Sequence, residues 1–381
     1  MAFELDPPDI EILEEAREVA ARCEPFAMEA DECSQIHEPT LAVLRGSRLS
    51  ELMVPAAYGG RFEGVDPLAV CLARQACMKV SSHLDSIFAL QGIGSYAVSV
   101  AGTEEQKAHW LPKVASAEVL AALALTEPVA GSDLKSLTTR LRVDGDEIVV
   151  SGQKSFISNA GSAGFFTTLC REDGPDGDDL YSLVLVPADA DGVKIGTSPE
   201  IIAPHVLGEV DFEGVRLPAS ARLGEPGKGF RHVLATLSVF RISVAGAAIG
   251  VMEGAIEEAV RHTRSREQFG RPLAKLGPVA SLLADAYADL ESTRLLTYQT
   301  ASRARVDPAA NLDRSSLAKL DATESATKVV DRCVQVMGRW GLIRGSKIEK
   351  YYRQARPMRV YEGASEVLRL GVAARLVQEV D

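Results

Sequence analysis

The stretch LALTEPVAGSDLKSLTTRLRVDGDEIVVSGQKSFISNAG, residues 123–161, is where the chain changes character. It opens with an apolar run, Leu123 to Leu125, followed by a turn of small and polar residues from Thr126 to Asp133. Alternation begins at Leu141-Arg142-Val143, breaks at Asp144-Gly145-Asp146 and resumes at Ile148-Val149-Val150. Period-two apolar spacing around an Asp-Gly turn predicts a β-hairpin. A second turn is expected at Ser151-Gly152, leading into Phe156-Ile157-Ser158-Asn159. Two loops rich in Gly, Ser and Thr then lie close together on one β unit. Their backbone N–H groups and short hydroxyls suit a flat, polar ligand across strand ends, although a plain hairpin would also use such residues.

Outward from this stretch, residues 121–225 keep the same character. Strands are predicted at 121–126, 138–143, 147–151, 154–158, 165–170, 181–187, 193–196, 206–212 and 215–217, short and turn-rich as in an antiparallel barrel or sandwich. On the N-terminal side the spacing is helical. Helices are predicted over 9–35 (with Ile10, Leu13, Ala16, Val19 and Ala20 on one face), 40–49, 66–80, 81–101 and 103–118. Thr103 and Gln106 form a candidate capping box, and VPAAYGGRFEG (54–64) reads as a loop. GIGSYA (92–97) imitates a dinucleotide fingerprint, but no strand precedes it, so small residues at a helix crossing are the better reading. From Gly229 onward helices are predicted at 229–264, 278–305, 314–338, 347–354 and 364–378, a bundle pattern. The fold class expected is mixed α and β. It has a helical domain at 1–120, a middle β-barrel or sandwich at 121–228 and a helical bundle at 229–381.

The chain has 381 residues with 46% hydrophobic and 25% charged content, ordinary for a globular protein. A net charge of −12 offers no excess of Lys or Arg for phosphate neutralisation, so no nucleic-acid partner is expected. The six cysteines are scattered, with no C-x-x-C pair and no His pair at ligand spacing. Reduced thiols, no metal and a cytoplasmic location are expected. No stretch reaches about 18 uninterrupted apolar residues, so no membrane span is expected, and the acidic start predicts no signal peptide.

ALTEPVAGSD (124–133) with GQKSFISN (152–159), SREQFGRPL (265–273), QVMGRWG (335–341) and VYEGASE (360–366) together resemble the acyl-CoA dehydrogenase family, in the family's order and across nearly the whole chain. The resemblance implies FAD-dependent α,β-dehydrogenation of an acyl thioester. Its substrate would be carried on coenzyme A or, alternatively, on an acyl carrier protein. A flavin oxidase or monooxygenase on the same scaffold is a further alternative. An electron-transfer flavoprotein or another acceptor would reoxidise the cofactor, and the chain would be a homo-oligomer, a dimer or a homotetramer.

By the same resemblance Glu362 is the base that removes the α-proton. A carboxylate before a helix, beside Gly363, would serve if a dry pocket raised its pKa, whereas a solvated helix-start Glu is the plainer reading. LSVFRIS (237–243), where some relatives carry the base, has no carboxylate. FAD contacts implied are Leu125, Thr126, Gly131 and Ser132 in the first loop. Phe156, Ile157 and Ser158 would cover the flavin. Arg266, Gln268, Phe269, Gln335, Gly338, Arg339, Ala364 and Glu366 would serve the rest of the dinucleotide, with Arg266 to Phe269 reaching a neighbouring subunit's flavin. Substrate contacts implied are Ser132, Ser238, Arg241, Tyr361 and Gly363.

Departures from the family pattern are Phe156 and Ser158 for Trp and Thr, Arg339 for a glycine, Gly277 for Gln, Gln354 for Asp and Ser238 for Asp. Asp85, near the expected acyl pocket, needs a polar partner from the substrate or the protein.

Overall fold

A computed structural model describes residues 4–174 and 177–378. The chain forms two compact units. The first comprises Met1–Glu32, Pro67–Asp85 and Ser238–Asp381; the second comprises Cys33–Asp66 and Ser86–Leu237.

The first unit is helical. Helix α1 (Pro7–Cys23) buries Ile12, Leu13, Ala16, Val19, Ala20 and Cys23. The helix expected over 9–35 stops at Cys23. Pro25 sits in a 3-10 turn (Glu24–Phe26), and α2 (Ala27–Ala30) follows it. Ile10, expected on the buried face, is exposed, and Ile12 takes its place. α1 packs on α4 (Pro67–Val80), most of whose positions are buried, Arg74 and Gln75 among them. The long helix α7 (Gly229–Ser265) carries Gly246, Gly250 and Gly254 at four-residue spacing. A Cβ at these positions would collide with the carbonyls of Cys71 and Gln75 on α4 and with the Tyr351 side chain. Small residues therefore let the backbones approach. α8 (Gly277–Ala304) packs on α9 (Leu312–Met337), which also meets α10 (Lys347–Met358) and α11 (Ser365–Gln378).

The second unit is built on a sheet of eight strands. They are β1 (Leu120–Ala124), β2 (Arg140–Asp144), β3 (Glu147–Ser158), β4 (Ala163–Asp173), β5 (Asp179–Pro187), β6 (Val193–Thr197), β7 (Leu207–Pro218) and β8 (Arg222–Leu223). The order is β6-β7-β3-β2-β4-β5-β8, with β1 also on β4. Most pairings are antiparallel. β1 runs parallel to β4 along residues 163–168, and β2 meets β4 in parallel only at Arg171. The hairpin at 141–150 is present, with Leu141 opposite Val150 and Gly145 at φ 66°.

Ser151-Gly152 is not a turn. β3 runs through it, and the extra residue is absorbed as a bulge between Val150 and Gly152 against β7. The strands expected at 147–151 and 154–158 are thus one, as are those at 206–212 and 215–217.

One sheet face buries Ile148, Val150, Phe166, Cys170, Val184 and Phe212. The other buries Phe165, Leu169, Leu183 and Leu185 with Leu111 and Val114 from α6 (Glu104–Ala115). The capping box expected at α6 is formed, Gln106 N donating to Thr103 Oγ1 at 3.2 Å and Thr103 N to Gln106 Oε1 at 2.8 Å. α3 (Glu38–Arg45) is shorter than the expected 40–49, ending at Gly46 before a 3-10 turn at Leu49–Met53.

GIGSYA lies inside α5 (Ser82–Ala101). A Cβ on Gly94 would stand 2.6 Å from Ala122 N, so the close approach is of helix to strand β1 rather than helix to helix. α5 and α7 are long and apolar enough to cross a membrane, but 72% and 78% of their apolar windows are buried within the protein. They are core helices.

Candidate functional site

In the sheet unit, β1 ends at Ala124 and the chain enters the first candidate loop. Leu125 O accepts a hydrogen bond from Lys154 Nζ at 3.0 Å, and Thr126 O accepts from Ser155 N at 2.9 Å. Both loops singled out in the sequence are thereby tied together. Their clamp is a buried pair the sequence reading did not single out: Lys154 Nζ lies 2.8 Å from Glu127 Oε1. Glu127 also accepts from Thr138 N at 2.6 Å, Thr138 Oγ1 at 2.7 Å and Thr139 N at 2.9 Å. Burial alone would raise the Glu127 pKa, but the donors Lys154, Thr139 and Thr138 carry it down to about 2. A signal was available, because alternation from Ile148 and Val150 puts Lys154 on the inward face, where an ammonium needs a partner.

Gly131 and Ser132 are exposed beyond this clamp, and Leu125 and Thr126 are half-buried. Phe156 has φ 55° and remains 49% exposed, so a large apolar ring is held outward on a left-handed backbone. Such a conformation costs a non-glycine residue about 1–2 kcal/mol and marks candidate functional positions. Ile157 turns its side chain into the core, leaving only its backbone to a ligand. Ser158 Oγ stands 3.0 Å from His205 Nε2, and Ser86 Oγ stands 3.3 Å from the same nitrogen. His205 was not anticipated.

In the helical unit, Glu362 lies in the turn between α10 and α11, with φ 52°, followed by Gly363 at φ 108°. A side chain at 363 would meet Leu368 Cδ2 at 2.9 Å and Arg241 Nη2 at 3.0 Å. Arg241 Nε donates to Glu362 O at 2.8 Å, and Arg241 Nη1 donates to Ser316 Oγ at 3.1 Å. Glu362 Oε2 is buried and makes no hydrogen bond. Burial raises the Glu362 pKa above the usual carboxylate range, and Asp85 adds to the rise; the cations Arg74, Lys319 and Arg241 oppose it. Tyr361 is 38% exposed. Asp85 has found its partner within the protein, Arg74, through Nε at 2.9 Å and Nη2 at 2.7 Å. Ser238 is buried, and its carbonyl accepts from Ser315 Oγ at 2.7 Å.

Arg266, Gln268 and Phe269 occupy a hairpin of β9 (Glu267–Gln268) and β10 (Arg271–Pro272). Phe269 and Gly270 turn it at φ 54° and 73°, and Phe269 is 90% exposed. Gln335 is exposed near the end of α9, and Gly338 follows at φ 58°. Arg339 reaches over the Trp340 ring, 5.3 Å from its centroid. Ala364 is half-buried before α11, while Glu366 is exposed in its first turn. The departure at Gln354 has a local account. Gln354 Nε2 donates to Asp31 Oδ2 at 3.2 Å, and Asp31 takes the ion pair with Lys350 at 2.8 Å.

The turn with Glu362, Gly363, Tyr361 and Arg241 is thus one cluster, and the two loops on β1 and β3 are another. Among the described residues no group of three or more His, Cys, Asp or Glu side chains is placed to hold a metal. The six cysteines are free.

Three family models match the chain: acyl-CoA dehydrogenase N-terminal domain at residues 8–118, middle domain at 122–215 and C-terminal domain at 227–377. The probable acyl-CoA dehydrogenase FadE25 of Mycobacterium tuberculosis is 31% identical over 357 residues, 93% of this chain and 91% of that protein. The structure of butyryl-CoA dehydrogenase from Megasphaera elsdenii is similar at a TM-score of 0.93 and 27% identity, covering 99% of this chain and 100% of that one. A glutaryl-CoA dehydrogenase from Mycobacterium smegmatis in complex with FADH2 gives 0.90 and 26%, with 98% and 95% covered.

Proposed function

This chain belongs to the acyl-CoA dehydrogenase family, and from that premise we propose that it performs FAD-dependent α,β-dehydrogenation of an acyl thioester. The observation that carries the reading is Glu362 Oε2, a buried carboxylate oxygen with no hydrogen-bond partner on a positive-φ turn. Among the described residues other buried polar atoms, such as Thr168 Oγ1 and Thr300 Oγ1, also lack a partner, but Glu362 Oε2 is the one carboxylate oxygen that does, and an unpaired buried carboxylate oxygen calls for a functional account. In this reading Glu362 takes the α-proton onto its carboxylate, and the Cα–H electron pair becomes the new double bond. Oxidised FAD, held when bound by the loops at 125–132 and 156–158, would supply the two-electron acceptor for the β-hydride. An electron-transfer flavoprotein or another acceptor takes the electrons onward.

The residues present suit the dinucleotide. Leu125, Thr126, Gly131 and Ser132 offer backbone groups and hydroxyls on a loop clamped by Glu127 and Lys154. Phe156, Ile157 and Ser158 supply an outward ring, a backbone and a hydroxyl. Arg266 is exposed without an ion pair among the described residues, and a free guanidinium fork suits a diphosphate. Gln268, Phe269, Gln335, Gly338, Arg339, Ala364 and Glu366 complete the set. The 90% exposure of Phe269 favours a partner subunit covering it, hence a homo-oligomer, dimer or tetramer. Six free thiols favour a reducing, cytoplasmic setting. The division at 1–120, 121–228 and 229–381 is supported by the ranges of the three family models.

For substrate contact we retain Ser132, Tyr361 and Gly363. Arg241 and Ser238 are drawn largely into the protein's own contacts. Coenzyme A is the first reading for the carrier; Ser238, standing where the family resemblance implies Asp, keeps a carrier-protein thioester as the second. Anaerobic bleaching of the flavin absorbance by acyl thioesters on both carriers separates the two. Rapid reoxidation of the bleached protein by dioxygen would instead indicate an oxidase.

A further inference from the structure

Two cations, one half-buried (Arg241) and one buried (Lys319), hold the turn that carries Glu362. Arg241 Nε, from α7, donates to Glu362 O, and Lys319 Nζ, from α9, donates to Gly363 O, each at 2.8 Å. Lys319 is wholly buried. Among the described residues it has no carboxylate within ion-pair distance, and its ammonium lies 6.0 Å from the centroid of the Tyr361 ring. A buried, unpaired ammonium costs several kcal/mol. A neutral donor such as a glutamine amide would satisfy a carbonyl at less cost. The charge itself therefore needs an account, and the nearby groups supply one. Arg74 is bound bidentately to Asp85, so that pair is close to neutral. Arg241 and Lys319 are left as the net positive charges beside an orphaned carboxylate.

We propose that Lys319 is a positioning residue for Glu362: it fixes the strained turn through Gly363 O and, by its positive charge, favours the carboxylate form of Glu362. The proposal rests on the assignment of Glu362 as the base. The groups facing Glu362 are Arg74 on α4, Asp85 on α5, Arg241 on α7, Lys319 on α9 and Tyr361 in the turn; Asp85 alone among the charged ones opposes ionisation. Those acting on Lys319 are Glu362, Arg241, Glu324 and Glu366. Burial depresses the Lys319 pKa to about 8, so the ammonium is present at neutral pH and is lost in mild alkali. Without it, Glu362 should hold its proton to higher pH.

The test compares wild type, Lys319→Met, Lys319→Gln and Lys319→Arg as holoenzymes. The pH profile of anaerobic flavin bleaching by an acyl thioester is measured for each. Lys319→Gln keeps an N–H donor without the charge, and Lys319→Arg keeps the charge. The acid limb should move up by about one pH unit in the Met and Gln variants, roughly a tenfold loss of rate at a fixed pH on that limb, and stay near wild type in the Arg variant. Infrared titration of the Glu362 carboxyl band, assigned by its loss in Glu362→Gln, should show the same order without turnover. If Met fails to fold, Gln and Arg decide. An acid limb and carboxyl band unmoved in the charge-free variants overturn the role of Lys319. Undiminished bleaching in Glu362→Gln overturns the base assignment instead, so the two failures are distinguishable.

Discussion

Lys154 Nζ sits 2.8 Å from Glu127 Oε1, and both side chains are shut off from water. The pair bridges the end of β1 to the middle of β3 and holds the carbonyl of Leu125 at the mouth of the first loop. Removing one partner leaves the other charge buried and unmatched. Lys154→Met should lower stability by about 3–5 kcal/mol, read by thermal or denaturant unfolding. Retention of FAD should fall with it, because the loop at 125–132 loses its anchor.

The same pair predicts acid sensitivity. Glu127 is held down at about 2 in the folded chain. A carboxylate with a depressed folded pKa contributes stability above its unfolded value and loses it as pH falls through the folded one. Unfolding midpoints should therefore drop between roughly pH 4.3 and pH 2. In Glu127→Gln that part of the pH slope should be absent.

Glu362 predicts the opposite sign. Its folded pKa is raised, chiefly by burial. The stability it contributes is present below the ordinary carboxylate value and is lost as pH rises through the raised one. Glu362→Gln should thus be more stable than wild type at pH 7, by about 1 kcal/mol, in differential scanning calorimetry. The wild-type bleaching rate should still be climbing with pH above the ordinary carboxylate range, since only the deprotonated group accepts a proton.

Phe269 stands at φ 54° with almost all its side chain exposed. In the chain alone that ring stabilises nothing visible, and glycine adopts the conformation without strain. Phe269→Gly should leave thermal stability of the flavin-free protein unchanged or higher by up to about 1 kcal/mol. FAD should nevertheless be lost faster on dialysis.

Gly94 offers a control outside the site. An added methyl would stand 2.6 Å from Ala122 N. Gly94→Ala should cost about 1–3 kcal/mol by forcing α5 off β1.

These elements also show what could be read from sequence. Periodicity locates the long helices α7, α8 and α9 to within two residues, because their stripes are long and Gly229, Gly277 and Gly338 mark one end of each. It failed where tertiary pairing decided the outcome. Gly152 looks like a turn locally, but β7 carries the ladder past it through a bulge. Pro25 is a local signal for the end of α1, which stops at Cys23 two residues before it. At the candidate site, motif strings led to Glu362, Phe156 and Phe269. Each has positive φ, a property that no residue type announces. The partners were hidden by sequence distance: Glu127 from Lys154 by 27 residues, and Gly363 from Lys319 by 44. A lysine on a helix normally reads as solvated, and only packing of α9 against its neighbours puts Lys319 out of water.

The most direct test is anaerobic titration of FAD-loaded wild type and Glu362→Gln with a panel of acyl thioesters, on coenzyme A and on carrier protein, following flavin absorbance. Wild type should bleach with at least one of them, and the Gln variant, still yellow and folded, should bleach at least about a thousandfold more slowly. Equal bleaching rates in the two proteins would contradict the role given to Glu362.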